Sequence, residues 1–431
     1  MASEIIAGPF FNAVGRGAAY GATPSGPVAA VAGAGTPSTG FGLSALYDGL
    51  QSSYFRWSDL LGAYSLDLGL NVIDVGDGEL ASLSGEWSVS GATVATSGTH
   101  AYKGSRSLKV TNTVGGAAGY AYQREKVQAG MTLVLTYAIG WRTAGNARLA
   151  VFDTRRARYL TNAGAWSDSL AYVASNAAAD FSSAGSLTFT APSVVEWGGR
   201  TGELEVRLYS DPGAGTGDVY GEVLLSPMID FVGIFGHNIP SNATITLSSY
   251  ADWWHGGVAT VRGTFDAVLS PVAWYAAKTP FTFPFGRLTI TMPNGSTARS
   301  APFIGELVLG QRLALLDPIE YGFSLEQRYS QSRRVTSGGV TWATALGGNG
   351  SRKLSAPFDL SLPGRQQMRD YVQLMNRGGI DRCVLLTNEI DSEFCALGRI
   401  AETGTYGYHA FSLTSFELGF EEDAFPAVLD A

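Results

Sequence analysis

The sequence predicts a mainly β protein of several domains, and three observations carry that expectation. Glycine (55 residues) is interspersed with 19 Tyr, 21 Phe and 9 Trp in short segments, as tight turns between strands require. Several of those segments alternate apolar and polar residues with period two, for example Leu204, Val206 and Leu208, which is the pattern of half-buried antiparallel strands. Turn signals recur roughly every 8 to 15 residues, the spacing of a sandwich. A chain of 431 residues is too long for one core and divides into roughly two to four domains.

Residues 1–40 are rich in Gly, Ala, Pro and Ser, with Glu4 and Arg16 as their only charges. Such a stretch cannot bury enough apolar surface alone to offset its ordering cost. It is either a disordered leader or an extended arm that orders against a neighbour. From Phe41 the style changes to short strands, with a turn at DVGDGE near Asp74 to Glu79. Strand-like runs follow: WSVSGATVAT, SLKVTNTV, GYAYQREKVQ, MTLVLTYAIGWR, NARLAVFDT, SLTFTAPS, GELEVRLYS and YGEVLLSPM. DFVGIFGHNIP, ATITLSS, RLTITMPNGS and IGELVLG continue to Gly310. The remainder carries more charge and one helix. In PGRQQMRDYVQLMNRGG, Met368, Tyr371, Val372 and Met375 recur at helical spacing, Pro363 suits the first turn and Gly378 a C-terminal stop. Strands flank that helix, so the C-terminal part reads as a small α+β domain.

Composition excludes several functions. Net charge is −8 with only five lysines, so no basic face is available to displace counterions from nucleic acid. No apolar run reaches membrane-spanning length, and the opening residues lack a basic region followed by an apolar core, so no signal peptide is expected in them. The four histidines are scattered, and metal-protease, phosphate-loop and nucleophile-elbow motifs are missing. Asp74, Asp77 and Glu79 form the one cluster with calcium-type oxygens, for which a solvated acidic turn is the favoured reading. No other cofactor is expected. Cys383 and Cys395 are the only cysteines and could form one disulfide, but two buried thiols in a reducing compartment is the favoured reading.

Three blocks carry a resemblance. Ala45-Leu46-Tyr47-Asp48-Gly49, Arg56-Trp57-Ser58 and Leu66-Asp67-Leu68-Gly69 resemble the opening strands of discoidin-like β-sandwiches. The continuation of such domains resembles Val232 to Asn238, which here follows some 160 residues later, and their closing strands resemble RLTITMPN and FIGELVLG. The same order is found in virion proteins of tailed phages. The intervening block is similar to jelly-roll carbohydrate-binding modules, through Trp87, Lys103-Gly104-Ser105, Gln123 to Gly130 and Phe189-Thr190-Ala191-Pro192. Glu222 stands where that family usually has an Asp pair. From about Leu315 the chain resembles C-terminal domains of phage tail-tip and minor tail proteins. The resemblance implies an arm (1–40), a discontinuous sandwich (41–74 and 228–312), an inserted jelly roll (75–227) and a tail-assembly domain (313–431). In this galactose-binding-like arrangement one β-sandwich is inserted in the other.

The function so implied is that of a non-enzymatic structural protein of a phage tail, assembled in the host cytoplasm. Its partners would be other tail proteins, copies of itself in a ring or cluster, and host-surface polysaccharide. A free adhesin and a glycan-degrading enzyme are the alternatives. Sugar sites stack pyranose faces on exposed aromatic rings. The candidates in the inserted block are Trp141, Trp166, Trp197, Tyr120, Tyr122 and Tyr159, with Asp77 and Glu79 for calcium. Trp141 ends a strand and Trp166 sits among small polar residues, both poor places to bury an indole. Trp87 is assigned to the core and His237 to a turn bonding backbone.

Overall fold

The computed structural model describes residues 4–6, 28–31, 38, 54–70, 73, 87–102, 105–114, 117–140, 145–178, 180–198, 201–211, 217–250, 259–267, 272–293, 298, 300–314, 324–328, 331–335, 341–345, 351–376, 382–387, 394–402, 407–408 and 414–422. The fold is mainly β, in antiparallel sheets, as the alternation predicts. Residues 87–227 form a two-sheet sandwich. One sheet runs Ala92–Ser97, Ser107–Asn112, the first half of Asp218–His237, Thr132–Gly140 and Ser183–Thr190. The other runs Ser88–Ser90, Gly119–Gln128, Thr201–Asp211 and Asn146–Asp153. The short strands Arg158–Leu160, Trp166–Ser167 and Ala174–Asn176 extend its far side. Period-two alternation buries Leu204, Val206 and Leu208 in the core cluster that also holds Leu133, Leu135 and Leu225 of the facing sheet. Trp87 belongs to the same core.

One corner of this sandwich is built around an indole. The one-turn helix Val194–Trp197 starts at Ser193, whose hydroxyl accepts the Glu196 amide (3.3 Å) while Glu196 Oε2 accepts the Ser193 amide (2.8 Å). This reciprocal pair is a capping box. The bond from the Ser193 amide is the main cause that holds the Glu196 carboxyl below its usual range. The helix drives Trp197 inward until only 1% of it is exposed, which removes it from the candidate sugar-stacking rings. Its Nε1 donates to both oxygens of Asp153, at 3.0 Å each, and that carboxylate is fully buried. Asp153 also accepts from the Arg155 amide (3.0 Å) and from Arg156 Nε (2.8 Å), so its lone pairs are occupied. Gly202 is required beside it, because a Cβ there would lie 2.2 Å from the indole ring.

The second sandwich takes strands from both sides of the first. Ala63–Gly69 pairs with Phe285–Thr291, and Phe55–Arg56 with Phe303–Gly310. The first of its sheets is completed by Thr244–Tyr250, Ala259–Asp266 and, at the other edge, Val28–Val31. Asp218–His237 is one strand of 20 residues shared by the two sandwiches. Up to Pro227 it pairs with Thr132–Gly140, and from Met228 with Val272–Thr282. Proline lacks an N–H, and this one sits where the strand passes from one sheet to the other. At the far end His237 Nδ1 accepts the Ile239 amide (3.1 Å), a turn bonding backbone as predicted. Burial lowers the imidazole pKa to about 4, so the ring is neutral at pH 7.

We propose that the second sandwich is an independent folding unit into which the first is inserted. Replacing residues 71–227 with a short Gly/Ser linker keeps Met228–His237 and all its partners. The expected result is one cooperative urea transition in the remainder, with m reduced in proportion to the surface removed. Aggregation at every linker length would show instead that the shared strand makes the two sandwiches one unit.

The C-terminal sheet runs Arg312–Ala314, Glu4–Ile6, Arg382–Thr387, Phe394–Glu402, Thr414–Glu422, Ser351–Leu360 and Ser324–Arg328. Helix Leu362–Asn376 follows its strand directly, and Met368 of the predicted apolar stripe is buried. Cys395 is buried. Two pieces of the arm, Glu4–Ile6 and Val28–Val31, pair within the chain itself, joining its first residues to its last domain. No helix among the described residues is long and apolar enough to cross a membrane.

Candidate functional site

The alternation that fills the sandwich core leaves a second set of side chains on the opposite face of the same sheet. In Thr201–Asp211 these are Glu203, Glu205, Arg207, Tyr209 and Asp211. Cross-strand register sets Tyr209 beside Tyr120, Arg207 beside Tyr122 and Glu205 beside Arg124. On the other side Arg148 faces Tyr209 and Phe152 faces Glu205, with Tyr159 next to Phe152. Four strands therefore deliver tyrosines, arginines and carboxylates to one surface.

The rings form a continuous row across the strands. Tyr122 and Tyr120 have centroids 5.8 Å apart, Tyr120 and Tyr209 4.7 Å, and Tyr209 and Tyr172 5.6 Å. Tyr159 and Phe152 stand 4.7 Å apart alongside. Arg207 lies at the centre and is 8% exposed. Its guanidinium carbon sits 4.0 Å from the Phe152 centroid and 5.3 Å from that of Tyr120. It donates to Tyr159 Oη (3.1 Å) and Tyr209 Oη (3.4 Å), and grips Glu205 Oε2 through Nε (2.7 Å) and Nη2. Arg124 Nε donates to the other Glu205 oxygen at 2.6 Å. Burial pulls the Arg207 pKa down, but the bonds to Tyr209 and Glu205 outweigh it and the net shift is upward. Burial is also the main reason the Tyr209 phenol is pushed up to about 12, so it stays a donor across the physiological range. At the rim Arg148 lies 4.7 Å over Tyr172 and pairs with Asp211 at 2.9 Å.

Tyr120, Tyr122 and Tyr159 of the predicted set thus meet on one surface, half-buried, with part of each ring accessible. Trp166 does not join them. It pairs with Leu160, on the face opposite Tyr159, and packs against the core beside Phe189. Its Nε1 donates to the Thr190 carbonyl at 3.2 Å, so an indole flanked by small polar residues still finds a half-buried seat. Trp141, Asp77 and Glu79 lie outside the described residues. Among the described residues no group of three metal-ligating side chains converges. Sequence reasoning missed Arg207, Glu205, Tyr209, Tyr172, Phe152 and Arg148. The signal was present in GELEVRLYS, whose apolar positions reveal the core face and whose alternate positions are Glu, Arg and Tyr.

No family model matches the chain, and no curated protein matches it. Among solved structures, the enzymatically active domain of bacteriophage CBA120 tailspike protein 4 is similar over 36% of this chain and only 21% of that chain, at 14% identity and a TM-score of 0.27. The CBM22-1 xylan-binding domain of Paenibacillus barcinonensis Xyn10C is similar over 35% of this chain and 90% of its own, at 11% identity and a TM-score of 0.25. TmCBM61, solved in complex with β-1,4-galactotriose, matches 36% of this chain and 98% of its own, at 14% identity and a TM-score of 0.20. At these scores the likenesses carry no weight for what this chain does.

Proposed function

We propose that this protein is a structural component of a phage tail whose 75–227 sandwich contacts host-surface glycan through the tyrosine face. The observation that carries the glycan reading is the face itself. It is a row of rings, half-buried at Tyr120, Tyr122, Tyr159 and Tyr172 and seated on the buried Tyr209, backed by hydroxyls and charges that the protein has already oriented. Apolar ring faces suit the C–H faces of pyranoses, and the polar groups between them suit hydroxyls. The tail reading is supported by the resemblance of the three sequence blocks and by low charge with abundant aromatics, which suit extensive subunit contacts. In this reading the partners are other tail proteins and copies of the chain, in the virion. Glu205, held between two arginines, has a structural role, and the protein binds glycan without cleaving it.

Each stacked sugar contributes about 0.5–1.5 kcal/mol, so one copy binds weakly and several copies on a particle bind tightly. The test is affinity of the full chain for a panel of bacterial surface polysaccharides. Tyr120→Ala removes a half-buried ring and should lower affinity roughly fivefold, about 1 kcal/mol. Its stability should fall by no more than about 1–2 kcal/mol, the scale of a half-buried ring, so the protein stays folded in the binding assay. Unchanged affinity would remove this face from the binding site.

A further inference from the structure

The charges on the tyrosine face are already spent on one another. Arg207 and Arg124 both bond Glu205, and Arg124 lies 3.8 Å from Glu203. Lys126 stands opposite Glu203 across the strands. Arg148, which lies over Tyr172 at one end of the ring row, is tied to Asp211 at 2.9 Å, and both side chains are about one-quarter exposed. Every cation on this face among the described residues therefore has a carboxylate as its neighbour. A glycan bearing uronate, phosphate or sulfate would find no free partner. It would also bring its own charge close to Glu205, Glu203 and Asp211.

Resting on the glycan-binding reading above, we infer that the face takes an uncharged polysaccharide and that Asp211 is a specificity-determining residue. By occupying Arg148 it withdraws one of two cations that are both stacked on the ring row and open to solvent; the other, Arg124 over Tyr122, is held by Glu205. Discrimination here comes from a built-in repulsive element together with the attractive rings. Neutral sugars still have the rings and the oriented hydroxyls. Their binding needs no counterion exchange, so it is insensitive to ionic strength, whereas an anionic sugar held by a surface arginine is screened by salt.

The experiment compares full-length wild type, Asp211→Asn and Asp211→Asn/Arg148→Gln. The probes are neutral polysaccharides (glucan, galactan, mannan and xylan) and polygalacturonate, at low and high salt. Wild type should bind a neutral polymer with affinity unchanged by salt, and polygalacturonate more weakly. Asp211→Asn should gain about fivefold for polygalacturonate at low salt, the scale of one exposed charge pair. High salt should erase that gain, and the added Arg148→Gln change should abolish it. Salt-dependent preference of wild type for polygalacturonate, or no gain in Asp211→Asn, overturns the inference while leaving the face as a glycan site. Binding that Tyr120→Ala does not weaken would instead overturn the underlying assignment.

Discussion

Replacing Arg207 with methionine should destabilise the protein by about 3–5 kcal/mol and abolish glycan binding. The stability loss follows from what remains behind. Glu205 is 2% exposed, and without Arg207 it keeps only Arg124 on one oxygen. A buried carboxylate that loses its main partner costs this much because its desolvation is no longer compensated. The binding loss has a separate cause. Arg207 bonds the Tyr159 and Tyr209 hydroxyls, so its removal frees rings that must then be ordered by the ligand at a cost in affinity. Arg207→Lys separates the two effects. It keeps a cation near Glu205 but has no planar fork, so stability should recover in part and binding should not. Urea unfolding and glycan affinity on the two variants check this. A loss below about 1 kcal/mol in Arg207→Met would mean that the pair merely offsets its own desolvation.

Trp197→Ala should cost a similar amount, about 3–5 kcal/mol, by a different mechanism. It opens a cavity where a fully packed indole stood and removes a donor from a buried carboxylate. Asp153 keeps Arg156 and the Arg155 amide, which limits the electrostatic part. Trp166→Ala gives the contrast. That indole is half-buried at the edge of the core, so the loss should be smaller, about 1–2 kcal/mol, and glycan affinity should not change. Thermal unfolding of the two variants separates the cases, and equal losses would contradict the placement of Trp197.

Much of the fold was legible because the strands are regular. Gly119–Gln128, Asn146–Asp153 and Thr201–Asp211 coincide with runs that alternation marks within about one residue. Other elements were hidden by proline. Pro227 makes Asp218–His237 read as two strands, although it only marks the change of sheet. Pro280 obscures Val272–Thr282, where the register shifts between Ile229 and Phe231 and the residues before Phe281 are unpaired. Arg158–Leu160 and Trp166–Ser167 are too short to show any period, so only their pairing reveals which way Trp166 points. The site was half legible. Tyr120 and Tyr122, two residues apart, announce an aromatic face. Arg207 does not, because an arginine in a strand reads as solvated until the register encloses it with Tyr159 and Tyr209.

The claim that glycan binds the tyrosine face is tested most directly by hydroxyl-radical footprinting of the full chain, with and without a polysaccharide that it retains. Bound sugar should protect Tyr120, Tyr122 and Tyr159 and leave the oxidation of Trp166 unchanged. Protection of Trp166 with the three tyrosines still reactive would place the ligand on the other side of the sheet and contradict the account.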